Sequence, residues 1–175
     1  MLFRSVSQSR YKQQNNDPPQ KGGVNFSDLR VNNLNLTVSD LKLEGDSLMA
    51  VVKHLNLTEK SGFRLNDLNG KFLKTPKSME LNNAIIIADR TTLHLPRLKF
   101  SYPNMGAFSE FVDSVNMSVK IKKSVLDFKT LSYFVPTFIS RKGLFFIDME
   151  SEGPVANLNA KRVSISTAEI GRAHV

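Results

Sequence analysis

The residues of this chain best suited to proton transfer or metal ligation are three histidines, His54, His94 and His174. His54 and His94 fall in separate alternating segments with no Glu or Cys at ligand spacing, and there are no cysteines at all, so zinc is not expected. Asn69-Gly70-Lys71-Phe72 carries the Gly-Lys of a phosphate loop. It lacks the Ser or Thr that should follow and the upstream glycine whose backbone would cradle the phosphates. Asn66 to Gly70, "NDLNG", shares some letters with a calcium loop but has neither the alternating ligands nor the closing glutamate. Both stretches read instead as hairpin turns. Glu150 and Glu152 are two apart, which on a strand gives a solvent-facing pair rather than an acid and a base. No G-x-S-x-G nucleophile elbow occurs. Four N-x-S/T sequons, at Asn25, Asn35, Asn56 and Asn116, occur in an Asn-rich chain and imply no glycosylation. The expectation is a protein that is not an enzyme, with no catalytic residues, no metal and no cofactor.

The elements that would have to position such residues are more informative. The chain has 175 residues, 41% of them hydrophobic, which suits a folded domain or a section of a longer protein. The longest apolar runs, such as "AIIIA" at Ala84 to Ala88, reach five residues. A membrane helix needs about 20. The absence of cysteine fits a reducing compartment or an envelope protein that avoids thiols. Its net charge of +8 comes from scattered residues, never more than two adjacent, as in Lys122-Lys123, Arg141-Lys142 and Lys161-Arg162. Nucleic-acid binding would cluster that charge with stacking aromatics, so no nucleic-acid partner is expected. Weak attraction to anionic lipid headgroups is compatible with it.

The two ends form a separate expectation. Met1 to Ser5 and Ile170 to Val175 can be encoded by DNA strings that are reverse complements over most of their length and match a common sequencing adapter, so both are set aside from fold reasoning. Without Arg4 and Arg172, 22 basic residues face 16 acidic ones, a net +6. Residues 6 to 23, with Pro-Pro and Gly-Gly among polar residues, read as a linker, completing a segment of residues 1–23 that precedes the folded part.

From Val24 the hydrophobic period is two, the signature of antiparallel β-structure. Leu34, Leu36 and Val38 share a face; Leu41 and Leu43 resume after Ser39-Asp40. Leu48, Ala50 and Val52, Leu55 and Leu57, Phe63 and Leu65, Met79 and Leu81, Leu93 and Leu95, and Leu98 and Phe100 extend the series. Val115 to Ile121, Val125 to Phe128, Leu144 to Met149, Val155 to Leu158 and Val163 to Ile165 complete it. "NLNLT" and "HLNLT", 21 residues apart, suggest a repeated hairpin-sized unit. Two stretches have helical spacing instead: Met105 to Val115, and Thr130 to Ile139, where Pro136 should end or kink the helix. These short helices are expected to lie over the sheet or cap an edge. A strand series with one apolar face needs a cover, since three or four buried Leu or Val side chains contribute roughly 5–10 kcal/mol gross. The cover is either a second sheet, forming a sandwich core, or a ligand held by a curved sheet.

"NLNLTVSDLKLEGDSL", "LNLTEKSGFRLNDLNGKF", "MELNNAIIIADRTTLHLPRLKFSY" and "SVKIKKSVLDFKTLSYFVPTF", in that order, resemble the AsmA-like family, in particular its TamB type from Gram-negative envelopes in the Bacteroidota form. "DFKTLSYFVPTF" (Asp127 to Phe138) is similar to the family's short helix ending near a proline, and "GLFFIDMESEGPVANLNAKRVSIS" to its strand–Gly–strand continuation. The likeness covers about Val24 to Thr167 and rests on patterned strands rather than catalytic signatures. It implies an all-β fold, an elongated and curved antiparallel sheet forming a groove, with one or two short helices, over residues 24–169. It also implies an internal section of a periplasmic protein anchored to the inner membrane by a segment outside this sequence. The implied activity is phospholipid transfer between inner and outer membranes. The implied partners are phospholipid acyl chains, the two membranes through regions outside this sequence, and outer-membrane assembly proteins. On that reading Leu34, Leu36, Val38, Leu41, Leu43, Leu55, Leu57, Phe63, Leu65, Leu93, Leu95, Leu98 and Phe100 face lipid in the groove. The competing reading makes the same residues the core of a structural or binding module, an assembly chaperone or an adhesin.

Overall fold

A computed structural model of the chain describes residues 6–12, 23–24 and 28–167, with side chains for all of these except 6–12, 108–112, 136 and 155. The two ends set aside above, Met1 to Ser5 and Ile170 to Val175, lie outside the described residues. The fold is all-β, one open antiparallel sheet that curves without closing. In chain order its strands are β1 (Val6–Lys12), β2 (Asp28–Glu44), β3 (Ser47–Glu59), β4 (Arg64–Leu65), β5 (Asp67–Lys74), β6 (Ser78–Ala88), β7 (Thr91–Ser101), β8 (Asn116–Asp127), β9 (Leu144–Pro154) and β10 (Asn159–Thr167). They pair almost entirely with their sequence neighbours; only the two-residue β4 leaves the path, adding to the C-terminal end of β3 while β5 pairs with its N-terminal part, Leu48 to Val52. Among the described residues two short helices, α1 (Phe111–Ser114) and α2 (Phe128–Ser132), and 3-10 turns at Met105–Glu110, Pro136–Phe138 and Val155–Asn157 accompany the sheet.

Several local expectations are revised. The stretch read as a linker contains β1, paired from Val6 opposite Leu34 to Lys12 opposite Asp28, because backbone hydrogen bonding to β2 does not require an apolar sequence. Val155 to Asn157 form a 3-10 turn rather than the start of a strand, and Phe128 opens α2 rather than ending a strand. Asn69 to Phe72 are not a hairpin turn; they run through the middle of β5. The two "LNLT" echoes are not copies of a repeating hairpin. They are the two arms of one, with Leu36 opposite Leu55 and Asn35 opposite Asn56, whose side chains bond at 2.9 Å.

The alternation slips phase repeatedly, and the backbone shows why. Asn33 (φ 54°), Asp40 (φ 52°), Asn83 (φ 50°) and Lys123 (φ 42°) adopt the left-handed conformation inside strands. Each coincides with a change of parity: Leu34, Leu36 and Val38 give way to Leu41 and Leu43 across Asp40, and Met79 and Leu81 to Ala84 and Ile86 across Asn83. Register shifts accompany them between Asn32 and Asn35, Ser39 and Lys42, and Ile121 and Ser124. A bulge adds one residue, bends its strand and returns the next apolar side chain to the same face. Asn and Asp take this conformation at small cost; Lys123 takes it against a steric penalty of about 1–2 kcal/mol.

The two ends of the sheet are closed differently. At one end Tyr102, Ala107 and Val115 form a small buried cluster against Met79 and Phe100. The Tyr102 hydroxyl donates to the Thr75 carbonyl at 3.1 Å. At the other end lies α2, whose Thr130 hydroxyl donates to the Ala88 carbonyl at 3.3 Å, with the Phe128 ring packed at a tilt against Phe145, centroids 4.8 Å apart. The helix is shorter than the expected Thr130 to Ile139: it ends at Ser132, four residues ahead of Pro136, which opens a separate 3-10 turn. Asp127 caps it. Its carboxylate, 2% exposed, accepts from the Lys129 amide at 3.0 Å and from Arg90 Nε at 2.7 Å. Asp127→Ala removes the cap and a charge-assisted bond and is expected to lower unfolding stability by about 3 kcal/mol. Urea denaturation checks this, and a loss below about 1 kcal/mol would mean that α2 is held by Phe128 and Thr130 alone.

One face of the sheet is polar and ion-paired across strands. Lys99 meets Glu80 at 2.9 Å, Lys120 meets Glu150 at 3.2 Å, and Lys122 meets Asp148 at 2.9 Å. The Lys99 ammonium holds the Glu80 carboxyl below its ordinary value of 4.5, while burial pushes the other way. Lys122 likewise lowers Asp148. A carboxyl depressed by folding stabilises the native state above its unfolded pKa, and that contribution is lost as pH falls through the folded value. Stability is therefore expected to drop below pH 4.5. Glu80→Gln should flatten that drop in an acid titration followed by circular dichroism; an unchanged slope would exclude Glu80 as a contributor.

Candidate functional site: an apolar face without a second layer

The opposite face is the candidate site, and the register assembles it row by row. One row crosses Leu43, Leu48, Lys74, Met79, Phe100 and Met117 from β2 to β8. The next crosses Ala50, Phe72, Leu81, Leu98 and Val119 and ends on Ser151 and Ala160. A third contains the pairs Val38–Val52, Ala84–Leu95 and Ile121–Met149–Val163, and a fourth the pairs Leu36–Leu55, Leu68–Ile86–Leu93 and Ser124–Ile147–Ile165. Directly opposed residues share a face, so the bulges have aligned side chains that simple alternation would scatter.

The packing on this face is thin. Ala84, Leu95, Val119 and Ile121 are its buried centre, with Leu81, Ile86, Leu93, Leu98, Met117, Ile147 and Met149 only partly covered around them. Beside that centre is a concavity of about 280 Å³, lined by Val52, Leu55, Leu68, Phe72, Met79, Leu81, Leu98 and Phe100, with Glu80 as the one charged residue of the lining. Small residues keep the floor low. Gly70, at φ +153°, lies so close to β6 that a Cβ on it would stand 2.7 Å from the Ala84 Cβ. Toward the margins the apolar side chains open to solvent: Leu41 is 47% and Leu43 76% exposed on β2, Val163 47% and Ile165 59% on β10. Among the described residues no second sheet lies over this face, since all strands belong to one sheet.

Of the residues expected to line a groove, Leu34, Leu36, Val38, Leu41 and Leu43 are on β2, Leu55 and Leu57 on β3, Leu65 on β4, and Leu93, Leu95, Leu98 and Phe100 on β7. Leu65 and Leu95 are buried, Leu41 and Leu43 exposed, and the others half-buried. Phe63 stands apart in the turn before β4, packed edge-on against Phe134 at 5.0 Å and Tyr133 at 5.8 Å. The face also takes in Leu68, Phe72, Met79, Leu81, Ile86, Met117, Val119, Ile121, Ile147 and Met149, which sequence reasoning did not assign to it. The signal that could have found them is the parity change at "NN" (Asn82-Asn83) and "KK" (Lys122-Lys123).

Groups with reactive side chains are spread over the polar side. His54, 68% exposed, contacts Asp67 at 3.1 Å, and Glu150 and Glu152 are occupied by Lys120 and Lys161. Among the described residues no three His, Cys, Asp or Glu side chains are grouped to hold a metal ion, and no helix is long and apolar enough to cross a membrane. Comparison with protein-family models, with curated proteins and with solved structures finds no match to this chain.

Proposed function

We propose that this chain is a section of a non-enzymatic envelope-biogenesis protein whose apolar sheet face carries phospholipid acyl chains. In this reading it is part of the path between inner and outer membranes, in the periplasm, as its resemblance to the AsmA-like family of TamB type implies. The observation that carries the proposal is the continuous apolar face of a single sheet, uncovered by a second layer among the described residues and hollowed where Leu55, Leu68 and Phe72 meet Leu81 and Leu98. Acyl chains gain about 0.8 kcal/mol per buried methylene, so even part of one chain laid along these rows is held appreciably. The bonded polar face stays in water meanwhile. Organic extraction of the folded, purified chain should release phospholipid in near-stoichiometric amount. Extracts without lipid, together with no uptake of labelled phospholipid, would reject the reading.

A second reading rests on a separate observation. β10 is exposed at every residue and has β9 as its one sheet neighbour among the described residues, so its outer edge offers free backbone groups to an extended peptide. Strand addition there suits a chaperone of nascent outer-membrane strands or another binding module. Photocrosslinks from Val163 to protein rather than to lipid would favour it.

A further inference from the structure

A second cavity, of about 500 Å³, lies at the α2 end of the sheet. Three elements build it: the turn after β3 contributes Ser61, the β6–β7 hairpin contributes Arg90, and α2 with the loop beyond it contributes Lys129, Ser132, Tyr133, Ile139, Arg141 and Lys142. Four of these side chains are cationic, and the one carboxylate in the lining, Asp127, is already bonded to Arg90 Nε and the Lys129 amide. That arrangement leaves the remaining guanidinium edge of Arg90 and three further cations around one hollow. Like charges gathered this way repel unless an anion joins them. Ser61 borders the hollow with its hydroxyl oxygen screened from solvent, so the cations are the groups that face a bound anion.

We propose that this cavity binds a phosphoryl anion, either a free phosphate ester or the phosphate of a lipid headgroup. Arginine and lysine together suit tetrahedral oxyanions, the planar guanidinium by paired hydrogen bonds and the ammonium groups as point charges. Ile139, 64% exposed, lines the same cavity, so apolar surface borders the charge, as a headgroup with its glycerol and first methylenes would require. Neither feature depends on the apolar face having a lipid cargo, since inorganic phosphate has no acyl chain.

The test uses the whole chain. Inorganic phosphate and glycerol 3-phosphate are titrated by 31P NMR, and vesicles of phosphatidylglycerol or phosphatidylcholine are sedimented with the protein. Three proteins are compared: the natural chain, Arg141→Ala/Lys142→Ala, and Lys53→Ala/Lys77→Ala, which removes equal charge from elsewhere. All four positions are exposed, so both variants should fold. The expected result is saturable anion binding that the Arg141/Lys142 variant weakens about tenfold or more and the control leaves within about twofold. Binding of phosphatidylglycerol vesicles with the same sensitivity assigns the headgroup as the source. Binding of the soluble anions alone assigns a free phosphate ester. Equal loss in both variants, or no saturable binding to any of these probes, overturns the proposal.

Discussion

A chain carrying Leu55→Glu and Leu68→Glu is expected to bind a fluorescent fatty acid or labelled phospholipid at least about tenfold more weakly than the natural chain, a difference of about 1.4 kcal/mol. Both side chains line the 280 Å³ hollow of the apolar face, yet neither packs against the buried centre formed by Ala84, Leu95, Val119 and Ile121. The substitution therefore bears on the ligand's surroundings more than on the core. A carboxylate beside hydrocarbon must either lose hydration or be protonated, and both cost more than an acyl chain gains from the remaining lining. Leu43→Glu is the companion variant. Leu43 is on the same face but 76% exposed, so its replacement should leave stability within about 0.5 kcal/mol and binding nearly unchanged. Retained binding in the Leu55/Leu68 variant, with an intact β-sheet spectrum, would remove the hollow as the acyl site. Loss of binding in Leu43→Glu alone would move the site to the margin on β2.

The second large effect is on the sheet itself. Gly70→Val is expected to lower unfolding stability by about 3–5 kcal/mol, combining backbone strain with overpacking against β6. At φ +153° a side chain is strained, and a Cβ would meet the Ala84 Cβ at 2.7 Å, the Ala84 Cα at 3.0 Å and Leu81 Cδ1 at 3.2 Å. Because one of those neighbours is backbone, repacking a flexible side chain does not relieve the contact. Gly143→Ala, at φ +115° with nothing within 4 Å, reads backbone strain without a packing clash and should cost about 1–3 kcal/mol. Adding Ala84→Gly to Gly70→Val should recover part of the loss, and the coupling energy measures the contact directly. Independent, additive losses would show that strain alone explains the glycine.

These two predictions also mark where sequence reasoning reaches its limit. "NGKF" carries local hairpin chemistry, and nothing in those four residues shows that β3 and β6 flank them on both sides. The requirement for glycine at position 70 comes from a backbone φ of +153° and from Ala84, fourteen residues away, neither of which the four letters show. Periodicity points to a helix over Thr130 to Ile139, but the structure has only Phe128–Ser132 as helix, with a separate 3-10 turn at Pro136–Phe138; its start depends on Asp127, whose capping role shows only once Arg90 and Lys129 surround it. The cationic cavity was not legible at all. Ser61, Arg90, Lys129 and Arg141 are scattered through the chain, and hairpin turns bring them together at one end of the sheet.

The all-β class, the antiparallel strands and the one-sided apolar pattern follow from the sequence itself, because side chains alternate every second residue and turns need Gly, Asn and Asp. The sequence also places the interruptions, at Asn33, Asp40, Asn83 and Lys123, though it does not say what they do. Only the tertiary structure decides that these are bulges restoring phase, so that rows from Leu43 to Met117 and from Ala50 to Ala160 form one face. Only it decides between a sandwich and a single layer. Either arrangement satisfies the same period of two, and the choice lies in which strand edges pair, an energy carried by backbone hydrogen bonds between residues far apart in the chain.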